Sequence, residues 1–161
     1  GFAADVGSTY VKWNDVRHDA ARVQRIHWTP MKRHARCMEK MLRSYDNDPS
    51  RLLDIARSSI AFESLSDLTI CLEAIWADSS VVVSRVINRM SKDYNADETG
   101  GYRDVCINLR LVSPDAQALG AELHVCEVQL ILLEFATLRS EFHFGCVVSK
   151  LCLVAVRFVG S

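Results

Sequence analysis

A chain of 161 residues and 18.1 kDa is long enough to form one domain with a buried core. Its apolar fraction of 49% and charged fraction of 24% are typical of a globular protein. The formal net charge of -1 gives no overall attraction to a polyanion. We therefore expect no nucleic-acid partner, and any phosphate site must come from local basic clusters.

The first half of the chain predicts an arm, a helix, a strand and a second helix. Residues 1–29 show no firm period and predict an extended arm with one short helix. Pro30 suits the first turn of a helix, whose apolar residues recur at helical spacing until the turn at 46–49: Met31, Ala35, Met38 and Met41/Leu42. The segment Ile55–Phe62, opened by Asp54, predicts a strand. Ser64 then caps a helix whose apolar stripe runs to about Trp76: Leu65, Leu68, Leu72 and Ile75/Trp76.

The second half predicts three strands joined by short connections, and then a helix. Val81–Asn88 is rich in β-branched residues, and a polar loop follows over 93–101. In Asp104–Leu111 the apolar residues Val105, Ile107, Leu109 and Leu111 alternate with polar ones, which predicts one buried and one open face. The strand Leu123–Leu130 places Glu127 and Gln129 on one face, and Leu130–Arg139 turns helical. These short links favour an α+β fold with a mixed, largely antiparallel sheet flanked by helices.

The longest apolar stretch, Cys146–Val159, is shorter than the ~20 residues that a membrane-spanning helix needs. Lys150 and Arg157 also interrupt it, so we interpret it as a tail that packs in a core or docks on a protein partner. The predicted organisation is therefore an arm over 1–29, a domain over 30–145 and an apolar tail over 146–161.

None of the cysteines belongs to a CxxC pair, and all lie in apolar or strand-like surroundings: Cys37, Cys71, Cys106, Cys126, Cys146 and Cys152. We expect buried free thiols, with zinc or disulfide roles as the alternatives. Free thiols predict an intracellular, reducing compartment. An organellar location, reached through a targeting segment that was later removed, is the alternative.

Three features could carry chemistry. Lys32, Arg36 and Lys40 lie four residues apart, with Arg33 beside them, and on a helix they would form either a phosphate-binding rail or a solvated face. Asp54 and Glu127, on two predicted strands, are the ligand type that Mg²⁺ prefers. Asp54 could instead cap a turn, and Glu127 could be a paired structural charge, because burying a lone carboxylate is costly.

The third feature is the segment Gly100-Gly101-Tyr102-Arg103-Asp104, which joins the polar loop to a strand. Glycines let the backbone approach a ligand, the Tyr102 ring could stack on a base, and Arg103 could reach a phosphate. The alternative is an ordinary hairpin loop with a half-buried tyrosine.

These segments resemble RelA/SpoT synthetase domains in their order and spacing over residues 30–135. Gly101-Tyr102-Arg103-Asp104-Val105 with Asn108, followed by Glu127-Val128-Gln129, resembles the paired signatures of that family. Arg51-Leu52-Leu53-Asp54-Ile55-Ala56-Arg57 resembles the start of its Asp-bearing strand, and Lys32 and Lys40 keep the spacing of two lysines on its ATP side. The segment His124–Leu130 is most similar to a eukaryotic, algal-type subgroup.

The resemblance implies a nucleotidyltransferase-like fold and a pyrophosphokinase that moves the β,γ-diphosphate of ATP to the 3′-hydroxyl of GDP or GTP. Asp54 and Glu127 would hold Mg²⁺ with their carboxylates about 4–6 Å apart. Without a cation one of the pair should have a raised pKa, and the alternative is that basic side chains compensate the pair, which would make it a structural ion network. Tyr102 would stack on guanine, Lys32 and Lys40 would neutralise ATP phosphates, and Gln129 would place the acceptor. The remaining candidate nucleotide-binding residues are Arg36, Arg103 and Asn108.

Several cationic or polar residues of the family pattern are replaced here: by Pro30, Ser59, Ile87, Cys106 and Ile131. Arg57 lies near Ser59, but we expect it to point to the opposite face of the sheet, while Arg85 and Arg89 flank Ile87. One such cation can be worth orders of magnitude in rate. Two hypotheses follow: an active or weak pyrophosphokinase, and a non-catalytic domain that serves as a binding or structural subunit.

Overall fold

A computed structural model of the chain describes residues 2–4 and 9–142. The strands are β1 (Phe2–Ala4), β2 (Tyr10–Lys12), β3 (Arg57–Phe62), β4 (Val81–Asn88), β5 (Val105–Leu111) and β6 (Val125–Leu132). The helices are α1 (Trp13–Val16), α2 (Ala20–Gln24), α3 (His34–Ser44), α4 (Leu65–Ala77), α5 (Pro114–Ala118) and α6 (Leu133–Phe142), with 3₁₀ turns at Pro49–Arg51 and Ala96–Thr99.

The strands form one sheet in the order β2-β1-β3-β6-β5-β4. The pair β3–β6 is parallel, and the other neighbouring pairs are antiparallel. The predicted mixed, largely antiparallel sheet with flanking helices is therefore confirmed. Among the described helices, none has the length and apolar character needed to cross a membrane.

One face of the sheet is apolar and packs against α4. Leu68, Cys71 and Ile75 of the helix meet Ile107 and Leu130 of the central strands, and all of these are buried. Of the alternating residues predicted to be buried in β5, three are buried and Leu111 is half-buried against the same core. The predicted open face is wrong for most of β5, because Cys106 and Asn108 are buried too. This strand has a neighbour on each side, and residues on both of its faces are buried.

The helix predicted from Pro30 begins only at His34. The backbone N–H of Lys32 donates to the carbonyl of Ile55 at 2.9 Å, so the chain before α3 runs alongside the approach to β3. Cys37 is the buried residue of α3, whereas Met31 and Leu42 of the predicted apolar stripe are 67% and 64% exposed. That stripe does not form a core face.

The first 29 residues contribute more regular structure than the predicted arm with one helix. The strand β1 pairs with both β2 and β3, so this part of the chain extends the sheet. Trp13, Val16 and Ile26 form a small buried cluster, and the Trp13 ring meets Trp28 edge-on at a centroid distance of 6.0 Å.

Within the described residues, Cys37, Cys71, Cys106 and Cys126 are buried and form no disulfide, as predicted. Cys146, Cys152 and the whole predicted tail lie outside the residues that the structure describes. The roles assigned to the tail stay predictions.

The N-terminus of α4 gives a first test of the local fold. The Ser64 hydroxyl accepts a hydrogen bond from the backbone N–H of Asp67 at 3.1 Å, which confirms the predicted cap. We expect Ser64→Ala to lower the free energy of unfolding by about 1 kcal/mol in urea denaturation, because a helix donor loses its partner. Ser66→Ala, at an exposed position of the same helix, is the control. Equal stability of the two variants would contradict the capping role.

Candidate functional site

The second face of the sheet carries polar side chains on three adjacent strands. Directly paired positions share a face, and the register pairs the following residues: Arg57 with Glu127, Ser59 with Gln129, Asn108 with Glu127, and Cys106 with Gln129. The predicted candidates Asn108, Glu127 and Gln129 are therefore brought together on one surface, which we call the polar face.

The expectation that Arg57 points away from Ser59 is wrong. Residues two apart in a strand lie on the same face, and the register places Arg57 next to Glu127. On the other side of the polar face, Arg85 of the edge strand β4 pairs with Asn108, and Ile87 pairs with Cys106. Arg57 and Arg85 are both exposed, so this surface carries a cation at each side.

Hydrogen bonds on the polar face orient Glu127. The Gln129 side chain donates its Nε2 to Oε1 of Glu127 at 3.0 Å, and the Ser59 hydroxyl donates to Oε1 of Gln129 at 3.2 Å. Burial, together with the negative charges of Glu127 and Asp104, raises the pKa of the Cys106 thiol to about 12. Cys106 therefore stays protonated at neutral pH and can donate to the Glu127 carboxylate.

Asp54 lies in the loop before β3, which begins at Arg57 and not at Ile55 as predicted. Its Oδ2 accepts hydrogen bonds from Lys32 Nζ at 2.5 Å and from Lys40 Nζ at 2.8 Å. The Asp54 and Lys32 side chains are only 10% and 11% exposed. The structure thus brings three of the predicted site residues together.

The predicted cationic stripe is only partly formed. Lys32 precedes α3, and Arg33 is its N-cap residue, so neither lies within the helix. Arg36 is on α3 but forms an ion pair with Glu39, one turn along the helix. Lys32 and Lys40 converge on Asp54 because the extended segment and the helix meet above the same loop.

The pKa of Asp54 differs from the expectation for two unneutralised carboxylates. Burial acts to raise it, but the hydrogen bonds from Lys32 and Lys40 outweigh this effect and hold the pKa below its usual value. At Asp54 the structure therefore shows the alternative, in which basic side chains compensate the carboxylate. The backbone N–H of Glu127 donates to the carbonyl of Ala56 at 2.9 Å, which places the start of β6 against the Asp54 loop. The separation of 4–6 Å between the two carboxylates stays a prediction.

The second carboxylate oxygen of Asp54, Oδ1, is buried and has no hydrogen-bond partner among the residues that the structure describes. An acceptor left in this state is costly unless a ligand satisfies it. Hard oxygen donors fit Mg²⁺. Among the described residues no group of three His, Cys, Asp or Glu side chains could hold a metal ion. A cation held here would therefore take further ligands from water and substrate phosphates, which is usual for Mg²⁺.

The turn that leads into Tyr102 requires two glycines. Gly100 and Gly101 have φ values of 62° and 85°, in the left-handed region that side chains disfavour. The Tyr102 hydroxyl donates to Asp104 Oδ2 at 3.0 Å. Nη1 of Arg103 donates to the carbonyls of Arg89 and Ser91, so its predicted phosphate contact would have to use its other nitrogens.

The sequence reasoning missed the role of Asp104. Its carboxylate is fully buried, with an exposed fraction of 0%, and accepts a hydrogen bond from Arg89 Nη1 at 2.6 Å. A charged residue beside the buried positions of a strand requires a partner, and the position of Asp104 next to Val105 could have indicated one. The identity of that partner depends on the pairing of β4 with β5, which the sequence pattern did not provide.

The lowered pKa of Asp54 predicts a pH-dependent contribution to stability. Ionised Asp54 stabilises the fold above its unfolded pKa of about 3.8, and this contribution is lost as the pH falls through the lower folded value. We expect the difference in unfolding free energy between wild type and Asp54→Asn to shrink between about pH 6 and about pH 3. Urea denaturation along this series measures it. A difference that is constant with pH would show that the charge of Asp54 contributes nothing.

No protein-family model and no curated protein sequence matches this chain. Solved structures do match it, among them three from Bacillus subtilis. Small alarmone synthetase 1 bound to its product pppGpp aligns with a TM-score of 0.54 and 20% identity, over 80% of this chain and 65% of that one. A second structure of small alarmone synthetase 1 aligns with a TM-score of 0.54 and 22% identity, over 79% of this chain and 67% of that one.

Small alarmone synthetase 2 aligns with a TM-score of 0.53 and 14% identity, over 80% of this chain and 73% of that one. The present chain thus spans 65% of the first of these structures. Identities this low establish the fold alone, and they give no support to the algal-type subgroup. The chain has the fold of the small alarmone synthetases, the RelA/SpoT-type synthetase fold that its motifs predict.

Proposed function

We propose that this chain is a nucleotide pyrophosphokinase that transfers the β,γ-diphosphate of ATP to the 3′-hydroxyl of GDP or GTP. The observation that carries the proposal is the convergence of Lys32 and Lys40 on the buried Asp54, one of whose oxygens has no partner within the described part of the chain. The start of β6, which bears Glu127, lies against the same loop. The arrangement offers cations for phosphates and carboxylates for a metal.

On the donor side, Lys32 and Lys40 would exchange the Asp54 carboxylate for phosphate oxygens of ATP. Their ammonium groups already lie together at one oxygen, so little reorganisation is needed to present two positive charges to one polyphosphate. Asp54 and Glu127 would hold Mg²⁺, which would neutralise negative charge on the phosphates. Arg36, which is exposed on α3 as Lys40 is partly, would assist from the helix surface.

On the acceptor side, Tyr102 would stack on the base, with Arg103, Asn108 and Gln129 placing the nucleotide. The 3′-oxygen bonds to the β-phosphorus while the bond from that phosphorus to the oxygen bridging the α-phosphate breaks, and AMP leaves. Glu127, oriented by Gln129, would accept the proton of the 3′-hydroxyl. Arg57 and Arg85, exposed at the two sides of the polar face, would supply positive charge near Ser59 and Ile87, where this chain lacks the cations of the family pattern.

A second candidate function is a non-catalytic binding or structural subunit. The observation that favours it is that Asp54 is already neutralised by two lysines of its own chain. In addition, Ile131 occupies a position where the family pattern has an arginine, and it is fully buried against Ala61 and Ala136. Because an isoleucine side chain carries no charge, this position supplies no cation for a phosphate.

Incubation of the protein with ATP, Mg²⁺ and either GDP or GTP tests the proposal. We expect a 3′-diphosphorylated nucleotide and AMP in equal amounts, separated by anion-exchange chromatography. Reactions without an acceptor are the control, because AMP formed there would report ATP hydrolysis. Absence of product with both acceptors would refute the enzyme and leave the non-catalytic subunit.

A further inference from the structure

We propose that the buried ion pair of Asp104 with Arg89 positions the Tyr102 ring as a preformed platform for the acceptor base. The pair would thereby set the affinity of the chain for the acceptor nucleotide without touching it. This inference rests on the proposed function, in which Tyr102 stacks on that base. Asp104 and Arg89 are accordingly positioning residues.

Each oxygen of the Asp104 carboxylate has its own donor. Oδ1 accepts from Arg89 at 2.6 Å, and Oδ2 accepts from the Tyr102 hydroxyl at 3.0 Å. Because Asp104 is fully buried, its charge depends on these partners for compensation. The carboxylate therefore fixes the position of the phenol oxygen more firmly than a bond to water would.

The anchor of this pair is rigid. Arg89 immediately follows β4 and Asp104 immediately precedes β5, and the backbone N–H of Arg89 donates to the carbonyl of Asp104 at 2.9 Å. Nη1 of Arg103 binds the carbonyls of Arg89 and Ser91 and so closes the base of the loop between the strands. The ion pair thus sits on the end of a regular strand ladder.

The tyrosine itself is held at both ends. The hydroxyl of Thr99 donates to the carbonyl of Tyr102 at 3.0 Å, and Asp104 holds the phenol oxygen. The ring packs against the cluster of Ala61, Ile131 and Ala136, yet Tyr102 is only half-buried. A base can therefore meet a ring whose orientation is already fixed, which lowers the entropy lost on binding.

Tyr102→Phe tests the inference, because it keeps the ring and removes only the hydroxyl that Asp104 holds. We expect KM for GDP to rise about 10-fold, because loss of a charge-assisted hydrogen bond weakens binding by roughly that factor. KM for ATP and kcat should stay within about 2-fold of wild type. Asp104→Asn should act in the same direction. Arg89→Lys, which keeps the charge, should stay closer to wild type than Arg89→Met.

Tyr94→Phe is the matched control. The Tyr94 hydroxyl donates a hydrogen bond to the Thr99 hydroxyl at 3.3 Å in the same loop. This variant therefore loses a phenol hydrogen bond but keeps the bond between Tyr102 and Asp104. We expect its KM for GDP to equal that of wild type. Thermal unfolding of every variant reports whether the fold is kept.

The outcomes separate this inference from the proposed function. An unchanged KM for GDP in Tyr102→Phe, or an equal rise in both KM values, would overturn the inference while the enzyme stands. If wild type forms no product, the proposed function fails. GDP binding measured by calorimetry then tests the platform on its own. Binding about 10-fold weaker in Tyr102→Phe but not in Tyr94→Phe would support the platform. Equal binding, or no binding of GDP to wild type, would overturn it.

Discussion

Replacing Glu127 with glutamine is expected to lower the rate of product formation at least about 100-fold. The substitution keeps the size of the side chain and removes its charge. Glutamine can neither accept the proton of the 3′-hydroxyl nor serve as a charged ligand of Mg²⁺. It can still hydrogen-bond Gln129, whose Nε2 lies 3.0 Å from Glu127 Oε1 in the wild type, so the fold should be retained.

The measurement is the initial rate of AMP release in the presence of GDP, at saturating ATP. Glu73→Gln is the matched control, because Glu73 is exposed on α4, which covers the opposite face of the sheet. The control should react at the wild-type rate. A rate in Glu127→Gln within a few-fold of wild type would remove Glu127 from the chemistry and contradict its proposed role.

Local rules allowed much of the fold to be predicted. The strand β4 has the bounds that its β-branched residues predict, and Ser64 caps α4 as expected. Alternation along the strands also places Glu127 and Gln129 on one face. These features depend on residues within a few positions of one another, so a single sequence is enough to predict them.

Features that depend on distant partners could not be predicted. Lys32 leaves the predicted helix because its backbone N–H bonds the carbonyl of Ile55. The strands β1 and β2 have three residues each and exist because neighbouring strands satisfy their hydrogen bonds. By contrast, the face of Arg57 was predictable from its spacing to Ser59, and the prediction misapplied that rule.

The same distinction applies to the candidate site. The motifs predicted Lys32, Lys40 and Asp54 as site residues, and they do converge. The motifs did not predict that the lysines bind Asp54 itself, because that depends on how α3 crosses the loop before β3. In this arrangement the lysines neutralise the carboxylate, and we propose that this one aspartate contributes to both stability and chemistry.

We expect Asp54→Asn to lower the free energy of unfolding by about 3 kcal/mol, because it leaves the Lys32 ammonium in a nearly buried position without a counter-charge. Lys40, whose side chain is 32% exposed, can turn to water at lower cost. Product formation should fall at least about 100-fold, since a charged metal ligand is lost. Asp93→Asn, at an exposed position in the loop after β4, is the control for both measurements.

The double variant Lys32→Met with Asp54→Asn separates stability from catalysis. Removal of the buried ammonium should recover part of the lost stability, because no unpaired charge remains, and the two substitutions should therefore be non-additive. Product formation should stay as low as in Asp54→Asn, because the methionine cannot neutralise a phosphate. If Asp54→Asn instead loses stability but keeps the wild-type rate, Asp54 is a structural counter-ion and not a metal ligand.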